Sequence, residues 1–178
     1  MPTIGDHHPR KVTVRVGKRK QVFAQRAGES DRHILLKALV FALYQSQFPD
    51  MGVERNIGHR YKPDLVALGS DGTPLFWAEC GEIGAEKLAR LVHRFPDTHL
   101  VVAKLATDLT PWGTIIERAL PDRRSAPIEL LGFDSSAWGA IDERGTVNLS
   151  DIAIQRRTFP ANTRPVEPVL PAQRPARY

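Results

Sequence analysis

The stretch KPDLVALGSDGTPLFWAECGEIGAEK, residues 62–87, contains the strongest structural signals in the chain. The run from Asp64 to Leu68 is apolar and β-prone, and Ser70-Asp71-Gly72 is a turn signal. The apolar run from Leu75 to Cys80 then predicts a partner strand. Helical spacing resumes at residue 85, so the stretch predicts an antiparallel strand pair that leads directly into a helix.

The flanking sequence extends this unit into a mixed α/β fold. Apolar and basic residues alternate at 11–16, which predicts a strand, and Ser30 is a good N-cap for a helix that ends near residue 47. The apolar run at 99–105 is typical of a strand buried on both faces. The other predicted elements are strands at 21–25, 53–58 and 127–132, helices at 85–95 and 110–120, and a terminal hairpin at 137–142 and 146–154. This order predicts a mixed β-sheet flanked by helices, with extra N-terminal strands and a C-terminal hairpin.

The predicted elements divide the chain into one domain and two ends. Residues 11–158 are expected to form a single α/β domain, which is an ordinary size within a chain of 178 residues. Residues 1–10 are expected to be flexible. Five prolines lie in the last nineteen residues, so 159–178 are expected to form an extended Pro/Arg-rich tail. Deletion of residues 160–178 is expected to leave the melting temperature nearly unchanged.

Composition excludes several classes of protein. Cys80 is the only cysteine, so neither an intramolecular disulfide nor a four-cysteine zinc site can form within the chain. The sequence contains no run of about 18 apolar residues, so no membrane span is predicted. The N-terminus has charges and prolines but no apolar segment typical of a secretory signal, so we expect a cytoplasmic protein.

The net charge of +5 is unevenly distributed. Residues 1–28 contain seven Lys or Arg residues against one acidic residue, and residues 156–178 contain five Arg residues against one. The basic N-terminal strands and the tail could therefore bind the phosphates of DNA or RNA. The alternative is that these charges only keep exposed strands and tails solvated.

Two carboxylates in the 62–87 stretch suggest a metal site. Asp64 and Glu79 lie on either side of the predicted turn, so an antiparallel pair can place them opposite each other at its open end. Two hard oxygen donors suit Mg²⁺ or Mn²⁺, and the backbone carbonyl of Cys80 could add a ligand. Lys87, in the first turn of the next helix, could reach back toward Glu79, orient a water and offset charge in a transition state.

The same residues have a purely structural interpretation. Asp64 would only cap a strand, and Glu79 and Lys87 would form a surface salt bridge. Elsewhere in the chain, His33 has no metal-binding spacing and is expected on a helix surface, and His99 is expected at a strand edge.

Several motifs together resemble the YaeQ family, a branch of the PD-(D/E)XK nuclease superfamily. They are the helix ESDRHILLKALVFALY at 29–44, KPDL at 62–65, FWAECG at 76–81 and Glu86-Lys87. The resemblance covers roughly residues 10–155 and implies a restriction-endonuclease-like core. It implies that Asp64, Glu79 and Lys87 form the catalytic set, with Glu29 as an accessory acid from the first helix. This chain has Gly81 where the superfamily usually has lysine, with Lys87 displaced onto the helix.

The function expected on these grounds is that of a metal-dependent nuclease-like protein that hydrolyses or binds nucleic acid, with a metal-activated water as the attacking group. A first alternative is a catalytically inactive module that keeps the nuclease fold for binding or regulation. A second is a structural adaptor whose basic arms engage a protein partner.

Overall fold

The computed structural model describes residues 11–16, 18–25 and 28–162. Its elements are β1 (Lys11–Val16), β2 (Arg19–Ala24), α1 (Asp31–Tyr44), β3 (Gly52–Val53), β4 (Leu65–Leu68), β5 (Pro74–Cys80), α2 (Ala85–Arg94), β6 (His99–Lys104), α3 (Thr110–Ala119), β7 (Ile128–Phe133), a 3-10 helix (Ser135–Ala140) and β8 (Ile154–Phe159). The mixed α/β architecture predicted from the sequence is confirmed, including the additional N-terminal strands. In the described part of the chain, no helix has both the length and the apolar character needed to cross a bilayer.

The main sheet has six strands in the order β3-β4-β5-β6-β7-β8. The pairs β5–β6 and β6–β7 are parallel, and the other neighbouring pairs are antiparallel. Each parallel connection runs through a helix, α2 or α3, because parallel neighbours require a crossover. The carboxyl ends of β5 and β6 therefore lie at the same edge of the sheet.

The helices form layers on the two faces of this sheet. Alternate residues of β5 separate the layers: Phe76, Ala78 and Cys80 pack with α1, whereas Trp77 packs with α2 and α3. The β1–β2 pair covers the outer side of α1, where Val14 and Phe23 join the same apolar cluster. This explains why α1 is buried around most of its circumference, since a helix enclosed by two layers has no fully polar face.

The small sheet is fastened to the C-terminal part of the domain at a glycine. Gly145 has φ +78°, and a Cβ atom there would lie 2.0 Å from the backbone carbonyl oxygen of Thr13. Arg15 forms a parallel β-bridge with Thr146, and its guanidinium donates to the carbonyl of Arg144 at 2.8 Å. Glycine is needed here both for the left-handed backbone and for the close approach of β1.

The predicted C-terminal hairpin is wrong. Residues 135–140 form a 3-10 helix capped by Asp134, and only an isolated bridge joins Ile141 to Val147. The last strand within the described residues is β8, which pairs antiparallel with β7 along its whole length. The sequence of β8, IQRRTF, is mostly polar because an edge strand needs few buried side chains. The alternation of apolar residues that predicts a strand is therefore weak there.

The domain boundaries also need adjustment. The predicted limit at residue 158 cuts β8, and Asn162 still bonds to the domain through its backbone N–H and the carbonyl of Arg124, at 2.8 Å. The strand predicted at 53–58 is restricted to Gly52–Val53. The expected flexible N-terminus, 1–10, and the rest of the Pro/Arg tail, 163–178, lie outside the described residues.

Candidate active site

Asp64 lies immediately before β4, at the open end of the β4–β5 pair. Its backbone N–H donates to the carbonyl of Ala78 at 3.1 Å, one residue out of step with the regular Leu65–Ala78 pairing. Because Leu65 pairs with Ala78, this register puts Asp64 across from Glu79, as the sequence predicts. The backbone N–H of Cys80 donates to Asp64 Oδ2 at 2.7 Å, which fixes the carboxylate at the strand end.

Glu79 is buried on the face of the sheet that carries α2. Its side chain is 6% exposed and accepts a hydrogen bond from the indole N–H of Trp77 at 2.8 Å. The Lys87 ammonium lies 2.6 Å from the other carboxylate oxygen. Burial raises the pKa of Glu79, the Lys87 charge opposes this, and the charge of Asp64 adds to the increase, so the two carboxylates interact. The Glu79–Lys87 pair is therefore partly buried, with the carboxylate buried and the Lys87 side chain 28% exposed, rather than a fully exposed surface salt bridge.

Lys87 reaches this position because the connection from β5 is short. Gly81, with φ +80°, reverses the chain after β5, and α2 begins at Ala85. Lys87 is in the first turn, so its long side chain extends back to the sheet edge. Its ammonium also lies 5.5 Å from the centroid of the Tyr61 ring, a cation–π contact.

Glu29 approaches Asp64 through His33. Glu29 precedes the N-cap Ser30 and so lies just outside α1 rather than in it. His33 Nδ1 is 3.4 Å from Glu29 Oε1, and His33 Nε2 is 2.9 Å from Asp64 Oδ1. The hydrogen bond to Asp64 raises the pKa of His33. The expectation of a helix-surface histidine is wrong, because the ring is only 30% exposed and lies between two carboxylates.

Cys80 contributes to the site through its backbone. The thiol points into the apolar layer under α1 and is buried, and burial raises its pKa well above the ordinary range. A thiolate nucleophile is therefore unfavourable at this position. The role of its carbonyl as a metal ligand stays a prediction.

Sequence reasoning missed three charged residues around the site. Lys37, 1% exposed, donates to both Glu29 and Glu54, and its contact with Glu54 is 2.7 Å. Burial lowers the pKa of Lys37, but its hydrogen bonds with these carboxylates outweigh burial, and the net shift is upward. Lys104, at the end of β6, donates to the carbonyl of Gly81, and burial lowers its pKa. Lys37 and Lys104 each interrupt an otherwise apolar run, and this interruption is the sequence signal that could have identified them.

Two clefts meet at this site and share Gly28, Glu29 and His33. One, of about 340 Å³, opens toward Asp64 and Glu54. The other, of about 280 Å³, opens toward Cys80 and Lys104. Within residues 11–16, 18–25 and 28–162, no group of three or more His, Cys, Asp or Glu residues is arranged to hold a metal ion.

The carboxylates of Asp64 and Glu79 are engaged from opposite sides of the sheet. Asp64 contacts α1 through His33, whereas Glu79 contacts α2 through Lys87. The strand register brings both to one edge, and each carboxylate uses two of about four acceptor positions in its protein contacts. Acceptor positions therefore remain on both carboxylates, and hard oxygen donors of this kind, supplemented by water and phosphate oxygens, are what Mg²⁺ and Mn²⁺ prefer.

Comparisons with known proteins support the fold. No family model matches the chain, and no curated protein matches it by sequence. The structure is similar to the YaeQ protein from Xanthomonas axonopodis pv. citri, with a TM-score of 0.58 and 17% identity over 85% of this chain and 97% of that chain. It is also similar to the YaeQ protein from Pseudomonas syringae, with a TM-score of 0.53 and 14% identity over 79% of this chain and 81% of that chain. The resemblance to YaeQ is therefore confirmed at the level of structure: the chain has the fold of the YaeQ proteins.

Proposed function

We propose that this protein hydrolyses phosphodiester bonds in nucleic acid with the help of Mg²⁺ or Mn²⁺. One observation carries the proposal: the open end of the β4–β5 pair combines Asp64, Glu79 and, 2.6 Å from Glu79, the ammonium of Lys87. Two carboxylates and an amine at a sheet edge are the groups that such a reaction needs. The YaeQ-like fold is compatible with this reading and by itself assigns no activity.

Asp64 and Glu79 would hold the cation, and the Cys80 carbonyl is the further candidate ligand. Mg²⁺ commonly takes one or two carboxylates and fills its other positions with water and phosphate. The bound ion would polarise the phosphate and lower the pKa of a coordinated water.

Lys87 would act on the attacking water and on the developing charge. Its ammonium is held at the sheet edge by Glu79 and by the Tyr61 ring, so its position is fixed before substrate binds. A fixed cation stabilises negative charge without reorganisation during the reaction. Glu29 would act indirectly, since it contacts His33, which in turn contacts Asp64.

A catalytically inactive nuclease-fold module is the alternative. The observation that favours it is that both carboxylates already have cationic or protonatable partners, Lys87 and His33. In such a protein these pairs would stabilise the fold and the site would take no metal.

Calorimetric titration with Mn²⁺ tests the metal site. The wild type should bind one ion, and Asp64→Asn and Glu79→Gln should each weaken binding by tenfold or more. Glu143→Gln, an exposed carboxylate outside the site, is the matched control and should bind like the wild type. Equal binding by all four proteins would exclude the site.

Cleavage assays with DNA and RNA test the activity. With Mg²⁺ or Mn²⁺, Glu79→Gln should abolish cleavage, and Lys87→Ala should lower turnover more than metal affinity. Metal binding through Asp64 and Glu79 without cleavage across a broad substrate panel would favour the inactive module. Cleavage that survives both substitutions would mean that another site, or a contaminant, is responsible.

A further inference from the structure

An open cleft lies beside the candidate site, between the 58–61 loop, α2 and the segment that follows α3. Its volume is about 960 Å³. We call it the arginine cleft because four arginines line it: Arg60, Arg90, Arg94 and Arg118. Its described lining residues lie between 58 and 122, outside the basic N-terminal strands that the charge distribution suggested.

The charge of the arginine cleft is not neutralised by its own acidic residues. Among the residues that the structure describes, Glu86 and Asp122 are the only carboxylates that line it, so the lining arginines exceed them by two. Glu86 pairs with Arg90 at 2.5 Å across one helical turn. Arg94 and Arg118 have no ion-pair partner within residues 11–16, 18–25 and 28–162, and both are exposed. Guanidinium groups of this kind are suited to phosphate oxygens.

Two aromatic side chains give the cleft a second type of surface. His59 and Tyr61 lie with ring centroids 5.6 Å apart, and both are half-buried. The ring of His59 also packs on Phe95, at 5.1 Å, which anchors it to the core. Anchored rings beside cationic groups are the elements with which proteins bind unpaired nucleic-acid bases and their phosphates.

Tyr61 connects the cleft with the candidate site. The Arg60 guanidinium carbon lies 5.4 Å from the Tyr61 centroid and the Lys87 ammonium lies 5.5 Å from it. Lys87 in turn contacts Glu79. A strand bound along the arginine cleft would therefore pass directly to the carboxylates.

We infer that the arginine cleft binds single-stranded nucleic acid and guides it to the site of Asp64, Glu79 and Lys87. The inference rests on the proposed function and names its substrate as a single strand. Bases in a duplex hide their faces by stacking on each other, whereas unpaired bases can stack on His59 and Tyr61. Acidic peptides would satisfy the arginines but would leave the rings without a stacking partner.

Binding is best measured without divalent metal, by fluorescence anisotropy of a labelled oligodeoxythymidylate of about 12 nucleotides. Arg94→Gln and Arg118→Gln should each weaken binding about 5-fold at 0.1 M salt and reduce the slope of log affinity against log salt by about 0.7. Tyr61→Leu should weaken binding about tenfold. Arg144→Gln, an exposed arginine outside the cleft, is the control and should bind like the wild type.

The outcomes separate this inference from the proposed catalysis. Glu79→Gln should abolish cleavage and still bind the oligonucleotide. If the wild type shows no cleavage but the cleft variants lose oligonucleotide binding, the binding role of the arginine cleft is supported and the proposed catalysis is not. Unchanged affinity in Arg94→Gln, Arg118→Gln and Tyr61→Leu would overturn the inference. Equally tight binding of duplex, or displacement of the oligonucleotide by polyglutamate at equal charge concentration, would also overturn it.

Discussion

Replacing Glu129 with glutamine should make the stability of this protein less dependent on pH in the acid range. Glu129 lies in β7, at the end of the sheet remote from the candidate site, and is 7% exposed. Its carboxylate accepts a hydrogen bond from the hydroxyl of Tyr44, lies 2.9 Å from His99 Nε2, and pairs with Arg156 at 2.9 Å. The hydrogen bond with His99 is the largest cause that lowers the pKa of Glu129, which falls from 4.5 to about 2 despite burial.

The size of the effect on the free energy of unfolding follows from the difference between these two pKa values. One pH unit corresponds to about 1.36 kcal/mol, so the ionised carboxylate stabilises the folded state by at most about 3.4 kcal/mol at pH 7. Because the folded-state pKa is lowered, the stabilisation is complete above pH 4.5 and is lost as the pH falls toward 2. At pH 3 about 1.4 kcal/mol should remain. Screening reduces these figures, since the Arg156 side chain is 44% exposed.

Urea unfolding of the wild type and of Glu129→Gln between pH 7 and pH 3 measures this contribution. The difference in the free energy of unfolding should fall by more than half over that range. Glu117→Gln removes an exposed carboxylate that pairs with Arg157, and it should cost less than about 1 kcal/mol at any pH. A difference for Glu129→Gln that is constant from pH 7 to pH 3 would refute the reasoning, because it would come from packing rather than charge.

Three further predictions concern the fold around the site. Lys37→Met should destabilise the protein by about 3–5 kcal/mol, because it removes the buried ammonium that pairs with two half-buried carboxylates. Calorimetry should show a melting temperature lower by about 6–20 °C, and a change within about 2 °C would contradict this. Gly145→Ala should lower the free energy of unfolding in urea by more than about 2 kcal/mol, because the added methyl group would collide with a backbone carbonyl of β1. Gly139→Ala is the control, since there is open space around Gly139, and it should lower the free energy of unfolding by less than about 1 kcal/mol. Equal losses in the two variants would refute the close approach of β1 to Gly145. Deletion of residues 163–178 should leave the melting temperature unchanged within about 2 °C. Deletion of residues 160–178 should lower the melting temperature measurably, because this longer deletion also removes the hydrogen bonds of Asn162 to the segment at 121–124. Identical melting curves for the two deletions would count against this prediction.

The sequence was sufficient wherever a local rule controlled the outcome. The turn at Ser70-Asp71-Gly72 joins β4 and β5 into an antiparallel pair, as predicted, although a register shift between Ala67 and Leu68 decides which residues lie opposite each other farther from the turn. Ser30 caps α1 as predicted, its hydroxyl accepting from the backbone N–H of His33 at 3.3 Å. These features depend on residues close in the chain, so periodicity and turn chemistry predict them.

The sequence failed where partners are distant in the chain. His33 and His99 were expected at a surface and at a strand edge, but His33 contacts Asp64 and His99 is buried against Glu129. Strand β8 was missed because its arginines conceal a pairing that depends on β7. No local pattern could reveal these contacts.

The sequence by itself determined the central strand pair, the helix that follows it and the residues that the YaeQ resemblance assigns to the site. Only the tertiary structure decided which groups surround those residues. Helix α1, on one face of the sheet, brings His33 to Asp64, and helix α2, on the other face, brings Lys87 to Glu79. The physical reason is that burial and charge act through space. Their effect on a carboxylate is therefore set by whichever segments pack against it, whatever their separation in the chain.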